Sequence, residues 1–135
     1  LIHYLNYSMA AYPVPQTGTT LLHSSITFDM SITSLFLPLI KGHVSRILPN
    51  NAQIDALEGI DKELNHLDFI KLTPTHLRAL KKTLLSQTDK ERCFVIGGEN
   101  LLKEDIISWL SRNSSVSIFN EYGPTETTVG CCVFK

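Results

Sequence analysis

Hydrophobic positions along the chain alternate between short continuous runs and helical spacing. Ile2, Leu5, Met9 and Tyr12 fall on one helical face, and Pro13 with Pro15 stops that helix. TTLLH (19–23) reads as a strand, and the polar SSITFD leads into a second helix from about Ser31. Gly42 fits its C-cap, whereas Pro38 in its interior predicts a kink or a split. VSRIL (44–48) is a short strand, and Ile54, Leu57, Ile60 and Leu64 return to helical spacing, weakened at Gly59. LDFIKL (67–72) is apolar on both faces except for Lys71, the pattern of a strand buried between helix layers. Thr73 as N-cap and Pro74 as first helical residue open a helix through Leu77, Leu80 and Leu84. CFVI (93–96) is a strand and Gly97-Gly98 a tight turn; Asn100 then caps a helix carrying Leu102, Ile106, Trp109 and Leu110. VSIF (116–119) and VGCCVF (129–134) flank the turn-rich NEYGPTETT (120–128).

This alternation predicts an α/β fold, a mostly parallel sheet with helices on its faces. The 135 residues, 43% hydrophobic and 19% charged, have a globular composition and exclude disorder, collagen-like repeats and coiled coil. The longest apolar stretch, residues 35–40, is far short of the ~20 residues of a membrane span. A net charge of −1 carries no basic footprint, so neither nucleic acid nor a membrane surface is expected as a partner. Three cysteines, with Cys131 and Cys132 adjacent, form no disulfide framework and indicate a reducing, cytoplasmic compartment. The chain begins at Leu1 without a basic-then-apolar leader and ends within a strand-like segment, so a piece of a longer protein is expected.

In parallel sheets ligands sit outside the carboxyl ends of the strands. FD (28–29), Lys71, GGE (97–99) and NEYGPTE (120–126) all lie at such places. Within YGPTE (122–126) an aromatic ring offers a face for a base, a hydroxyl can reach a phosphate, and a carboxylate can hold Mg²⁺. Each segment also has a plainer reading. Gly-Pro after a strand is a turn signal, an Asp at a helix start caps it, and GGE suits a strand-to-helix turn. Lys71 is the more informative residue, because a lysine inside an apolar strand is costly unless its head finds a carboxylate or water.

Four ordered landmarks, FDMS (28–31), LTPTHLRAL (72–80), IGGENL (96–101) and NEYGPTETT (120–128), resemble those of amino-acid adenylation domains of nonribosomal peptide synthetases. These belong to the acyl-adenylate-forming superfamily, and the likeness covers essentially the whole chain. It implies a partial adenylation (AMP-binding) domain over residues 1–135, from the large N-terminal subdomain. The phosphate loop upstream and the small C-terminal subdomain with its lysine are not recognisable in the sequence. The segment alone is therefore expected to catalyse little or nothing.

The resemblance also implies roles. Tyr122 stacks on adenine with Asn120 near its amino group, Gly97, Gly98 and Gly123 border the nucleotide, Thr125 contacts the α-phosphate, and Glu126 holds Mg²⁺. Asp29 pairs with the substrate's α-ammonium, and Phe28 lies beside the substrate. The specificity pocket comprises Asp29, Met30, Thr33, Lys71, Val95, Gly97, Glu121, Val129 and Gly130, a row similar to signatures associated with asparagine. Lysine has only donors and an ionised glutamate only acceptors, so together they match the two ends of a carboxamide. Alternatively, Lys71 and Glu121 simply neutralise each other. The implied partners are ATP with Mg²⁺, an amino acid with asparagine favoured, and the synthetase's carrier domain (through its phosphopantetheine thiol) and condensation domain.

His3, His23, His43, His66 and His76 show no metal-ligand spacing. Ser24 and Ser25 lie in no nucleophile elbow, and no P-loop or dinucleotide fingerprint occurs. Cys93, Cys131 and Cys132 read as small, inert strand residues. Two other readings remain: an acyl- or aryl-CoA ligase, against which Asp29 argues, and a non-catalytic nucleotide-binding module.

Overall fold

A computed structural model of the chain describes residues 1–14, 18–49, 67–84, 91–112 and 115–135. The described elements run α1 (Ile2–Ala11), β1 (Thr19–Leu22), α2 (Met30–Lys41), β2 (Val44–Ile47), β3 (Leu67–Leu72), α3 (Pro74–Leu84), β4 (Arg92–Gly97), α4 (Lys103–Arg112), β5 (Val116–Tyr122) and β6 (Cys132–Phe134). The helix expected over Ile54–Leu64 lies outside the described residues. Six strands form one sheet in the order β2-β1-β3-β4-β5-β6. The first five are mutually parallel and β6 returns antiparallel on β5. The expected α/β architecture is what forms.

Strand alternation divides the core in two. Ile70, Leu72, Phe94, Ile96 and Ile118 pack with Leu77, Leu80 and Trp109 of α3 and α4. Phe69, Cys93, Val95 and Phe119 pack with Leu37 of α2 and with Tyr12, just after α1. Because side chains alternate across a strand, Lys71 and Glu121 share the second face with Phe69 and Phe119.

Several local expectations hold for their stated reasons. Thr73 Oγ1 accepts the His76 N–H (3.3 Å) at the start of α3. Gly42 closes α2 at φ 68°, where its N–H and that of His43 reach back to Leu39 and Pro38 carbonyls (3.2 and 2.8 Å).

Others are corrected. Pro38 does not split α2, which runs unbroken from Met30 to Lys41. A proline frees the carbonyl four residues earlier, here that of Ser34. The Thr20 and Ser45 hydroxyls on the underlying strands donate to that carbonyl instead (3.2 and 3.3 Å), so the sheet repairs the helix. Asn100 does not cap α4, which starts at Lys103; Asp105 instead accepts the Leu102 N–H (3.1 Å) and the Arg78 guanidinium (2.7 Å). The buried stripe of α1 is Tyr4, Leu5 and Ser8, and Ile2 faces outward. Leu102 and Leu110 are also exposed, leaving Trp109 as the buried anchor of α4.

Candidate functional site

The carboxyl ends of β1, β3, β4 and β5 open into a cavity of about 990 Å³. Phe28, Asp29 and Met30 reach it from the entry to α2, and Gly98 with Glu99 from the turn after β4. Asn120, Glu121, Tyr122, Gly123 and Thr125 reach it from β5 and the loop beyond. Asn120 to Tyr122, expected in a turn, continue β5, so their side chains alternate across it. Tyr122 is 65% exposed, an open aromatic shelf at the rim. The loop after it is closed at its base by the Cys131 N–H donating to the Tyr122 carbonyl (2.9 Å). Gly123 lies against that loop's own backbone, where a Cβ would come within 2.6 Å of the Thr128 carbonyl.

Asp29 occupies the N-cap position of α2 yet makes no side-chain capping bond. Its Oδ2 is buried and has no hydrogen-bond partner among the described residues. A buried carboxylate oxygen left unpaired is a costly arrangement and points to an external donor. The capping role does not account for this residue.

Thr33, Lys71, Val95, Gly97, Glu126, Val129 and Gly130 are not among the residues lining the cavity. Lys71 forms an ion pair with Glu121, the member of the pair that borders the cavity, and both side chains are essentially inaccessible. Lys71 Nζ also donates to Thr33 Oγ1 (3.0 Å) and Tyr4 Oη (3.2 Å). Glu121 accepts from Tyr4 (3.0 Å to Oε2) and from Tyr12. The pair therefore does neutralise itself, and within a larger network. Burial pushes the Lys71 ammonium towards deprotonation, against the opposing pull of Glu121. Burial next to the Glu121 carboxylate raises the Tyr4 and Tyr12 phenols, fixing both as donors.

Strand register explains the meeting. Lys71 lies level with Val95 and Glu121 level with Gly97, one strand between them. Gly97 leaves the intervening strand bare; a Cβ there would stand 2.6 Å from the Glu121 carbonyl oxygen. Gly97 is thus explained by the approach of β5. Gly98, at φ 81°, needs glycine for its left-handed backbone. A Cβ on Gly130 would overlap the Glu121 carboxyl group, so Gly130 is the lid over the network.

Glu99 accepts the Thr75 hydroxyl and N–H (2.7 and 3.2 Å) at the N-terminus of α3, which lowers its carboxyl pKa. A carboxylate suits that end of a helix. This role is structural.

Sequence reading missed His23 and His76 as cavity residues; their one signal was a place just after β1 and β3. Their rings meet edge to face at 4.8 Å. His23 Nε2 contacts the Lys71 carbonyl (2.9 Å) and His76 Nδ1 contacts Thr73 Oγ1 (2.8 Å). Burial lowers both imidazole pKa values, opposed by the Lys71 carbonyl at His23 and by Glu99 at His76. The unfolded chain then binds protons near pH 6.5 that the folded chain refuses. Stability is full above that pH and is expected to fall as pH drops below it. Urea titrations at pH 7.5 and 5.5 should show a lower midpoint at 5.5, with a smaller drop in His23→Phe. An equal drop in both proteins would contradict this.

All three cysteines are free, Cys93 buried and Cys131 with Cys132 exposed. Among the described residues no cluster of three His, Cys, Asp or Glu could hold a metal unaided, and no helix is long and apolar enough to cross a membrane.

Comparison with known proteins agrees with this layout. The family model described as AMP-binding enzyme matches residues 2–135. Tyrocidine synthase 3 of Brevibacillus parabrevis is 36% identical over 137 residues, which cover 99% of the chain and 2% of that synthase. The Vibrio cholerae adenylation domain AlmE, solved with glycyl-adenosine-5'-phosphate, superposes with a TM-score of 0.78 at 24% identity, over 98% of the chain and 25% of AlmE. Holo-AB3403, a four-domain nonribosomal peptide synthetase bound to AMP and glycine, gives 0.78 at 25% identity, over 99% of the chain and 10% of that protein.

Proposed function

The chain belongs to the AMP-binding enzyme family, and from that premise we propose that it forms the amino-acid and adenosine face of an amino-acid adenylating ligase in a nonribosomal peptide synthetase. The observation that carries the reading is the unpaired buried Oδ2 of Asp29 on the cavity wall. An α-ammonium supplies the missing donor, and no fatty or aryl acid does. This favours an amino-acid substrate over the acid of an acyl- or aryl-CoA ligase, and the exchange measurement below distinguishes the reading from a nucleotide-binding module without chemistry.

In the reaction the substrate carboxylate attacks the α-phosphorus of ATP, an O–P bond forms, and the bond to the β-phosphate oxygen breaks. Aminoacyl-AMP and pyrophosphate result. Tyr122 offers its open ring to the adenine, with Asn120 beside it, and Gly98 keeps that approach free of side chains. Gly123 holds the turn that presents the Thr125 hydroxyl to the α-phosphate. Glu126, exposed on the same loop, is a fitting single carboxylate for Mg²⁺, an ion that takes its other ligands from phosphate and water. The ion would neutralise charge on the phosphates. Positioning and charge neutralisation are what such a transfer requires.

The side-chain pocket comprises Asp29, Met30, Thr33, Lys71, Val95, Gly97, Glu121, Val129 and Gly130, and asparagine is the substrate we favour. Glu121 faces the carboxamide NH₂, and Lys71 meets its oxygen by giving up a hydroxyl partner. Aspartate would set a second carboxylate against Glu121, and glutamine is one methylene longer, worth ~1–3 kcal/mol. The aminoacyl group then passes to a phosphopantetheine thiol on a carrier domain, beside a condensation domain, in the cytoplasm.

Amino-acid-dependent ATP–pyrophosphate exchange by the intact enzyme tests this reading. Exchange is expected with asparagine foremost in a panel of amino acids. No exchange with any amino acid would refute the activity, and a preference for an aliphatic one would refute the asparagine assignment. Glu121→His is expected to shift preference from asparagine towards aspartate; unchanged selectivity would count against the pocket.

A further inference from the structure

The nine pocket positions leave out two side chains that touch the pocket's charged pair. Tyr4 on α1 is 4% exposed and Tyr12, just beyond that helix, is 1% exposed. Both hydroxyls donate to Glu121. Tyr4 also meets Thr33 Oγ1 at 2.5 Å and takes a bond from Lys71. The Tyr12 ring is wedged edge-on against Phe119 (5.2 Å) and tilted on Phe69 (6.0 Å), so its hydroxyl is aimed by the core.

A count of donors and acceptors shows what this achieves. An ammonium has three protons, and Lys71 directs them to Glu121, Thr33 and Tyr4. Tyr4 and Tyr12 each give their single proton to Glu121, and Thr33 gives its own to Tyr4. Every donor is then committed. A carboxylate has about four lone-pair sites, and Lys71, Tyr4 and Tyr12 fill three of them on Glu121. The network offers its surroundings an acceptor and no free donor. Glu121 is the network member that lines the cavity.

The geometry points to Tyr4 and Tyr12 as positioning residues for substrate selection: by filling two lone-pair sites of Glu121 and orienting its carboxylate, they leave one acceptor site for a substrate to engage on a residue that borders the cavity. A substrate side chain that brings an N–H or O–H donor is accepted there, and one that brings a carboxylate is refused. This rests on the amino-acid-activating function above and adds to it two selectivity residues, one on α1 and one just after it, outside the nine pocket positions.

The test uses the intact enzyme and its tyrosine-to-phenylalanine variants. Tyr4→Phe and Tyr12→Phe are compared with Tyr7→Phe, a half-exposed tyrosine on the same helix that is edge-on to Tyr12 (6.4 Å) without contacting Glu121. ATP–pyrophosphate exchange is measured with asparagine, aspartate and an aliphatic amino acid of similar size, alongside thermal unfolding. Hydrogen bonds to a charged group are strong enough to move such ratios about tenfold or more. Tyr4→Phe and Tyr12→Phe are expected to change the kcat/KM ratios among the three amino acids by that factor, with the KM for ATP unchanged. Tyr7→Phe should leave the ratios alone. Ratios within twofold of wild type in folded Tyr4→Phe and Tyr12→Phe proteins would overturn the inference, as would an equal shift in Tyr7→Phe. A wild-type enzyme inactive with every amino acid would sink the underlying function instead, a result distinguishable from unchanged ratios in an active one.

Discussion

Asp29→Asn in the intact enzyme is expected to lower amino-acid kcat/KM by about 100-fold or more while leaving folding stability within about 1 kcal/mol of wild type. Truncating one partner of a buried, hydrogen-bonded charge pair costs ~2–5 kcal/mol of binding, and each 1.4 kcal/mol is about tenfold. Among the described residues no hydrogen bond is made to Asp29 Oδ2 that folding would lose. The two readouts should therefore separate: the KM for the amino acid rises steeply, the KM for ATP is unchanged, and the urea midpoint stays in place. A variant with a clearly lowered urea midpoint but a normal amino-acid kcat/KM would make Asp29 a structural residue.

Lys71→Met is expected to act in the opposite sense, on the fold first. It leaves Glu121 buried with two tyrosine donors and no counter-charge. Breaking a buried pair by removing one partner costs ~3–5 kcal/mol, whereas removing both charges is far milder. The double substitution Lys71→Met with Glu121→Gln should therefore recover at least about 2 kcal/mol relative to the sum of the single changes. The amide oxygen introduced by Glu121→Gln would still accept from the tyrosines while the lone negative charge is gone. Urea unfolding of the four proteins measures this coupling. Strict additivity would mean that the two residues do not depend on each other.

The sheet and its helices were legible because alternation and apolar runs marked each strand, and the structure bears out the α/β layout. What the pattern did not reveal was long-range repair. Pro38 reads as a break because local rules see only the lost bond, while the Thr20 and Ser45 hydroxyls that satisfy Ser34 come from other elements. Asn100 is a good cap by type, yet Asp105 takes that function by accepting the Leu102 N–H, held in place by Arg78 from a different helix.

At the site, the residues that motif order singled out converge at the strand ends: Asp29, Gly98, Asn120, Glu121, Tyr122 and Thr125 border one cavity. Lys71 was conspicuous because a charge in an apolar strand needs a partner, and Glu121 is that partner. Tyr4 and Tyr12 were invisible as pocket residues. Tyrosines on an amphipathic helix look like core, and only the folded register brings their hydroxyls to Glu121. The role of Gly97 shifted for the same reason, since the backbone it accommodates belongs to β5.

The most direct measurement of whether this cavity receives an amino acid joined to adenosine is a calorimetric titration of the intact enzyme with two ligands. One is a non-hydrolysable asparaginyl-AMP mimic, and the other is the same compound lacking its α-amino group. The Asp29 account predicts tight binding of the first and binding about 100-fold weaker for the second, a gap that Asp29→Asn abolishes. Equal affinity for the two compounds in the wild-type enzyme would contradict it.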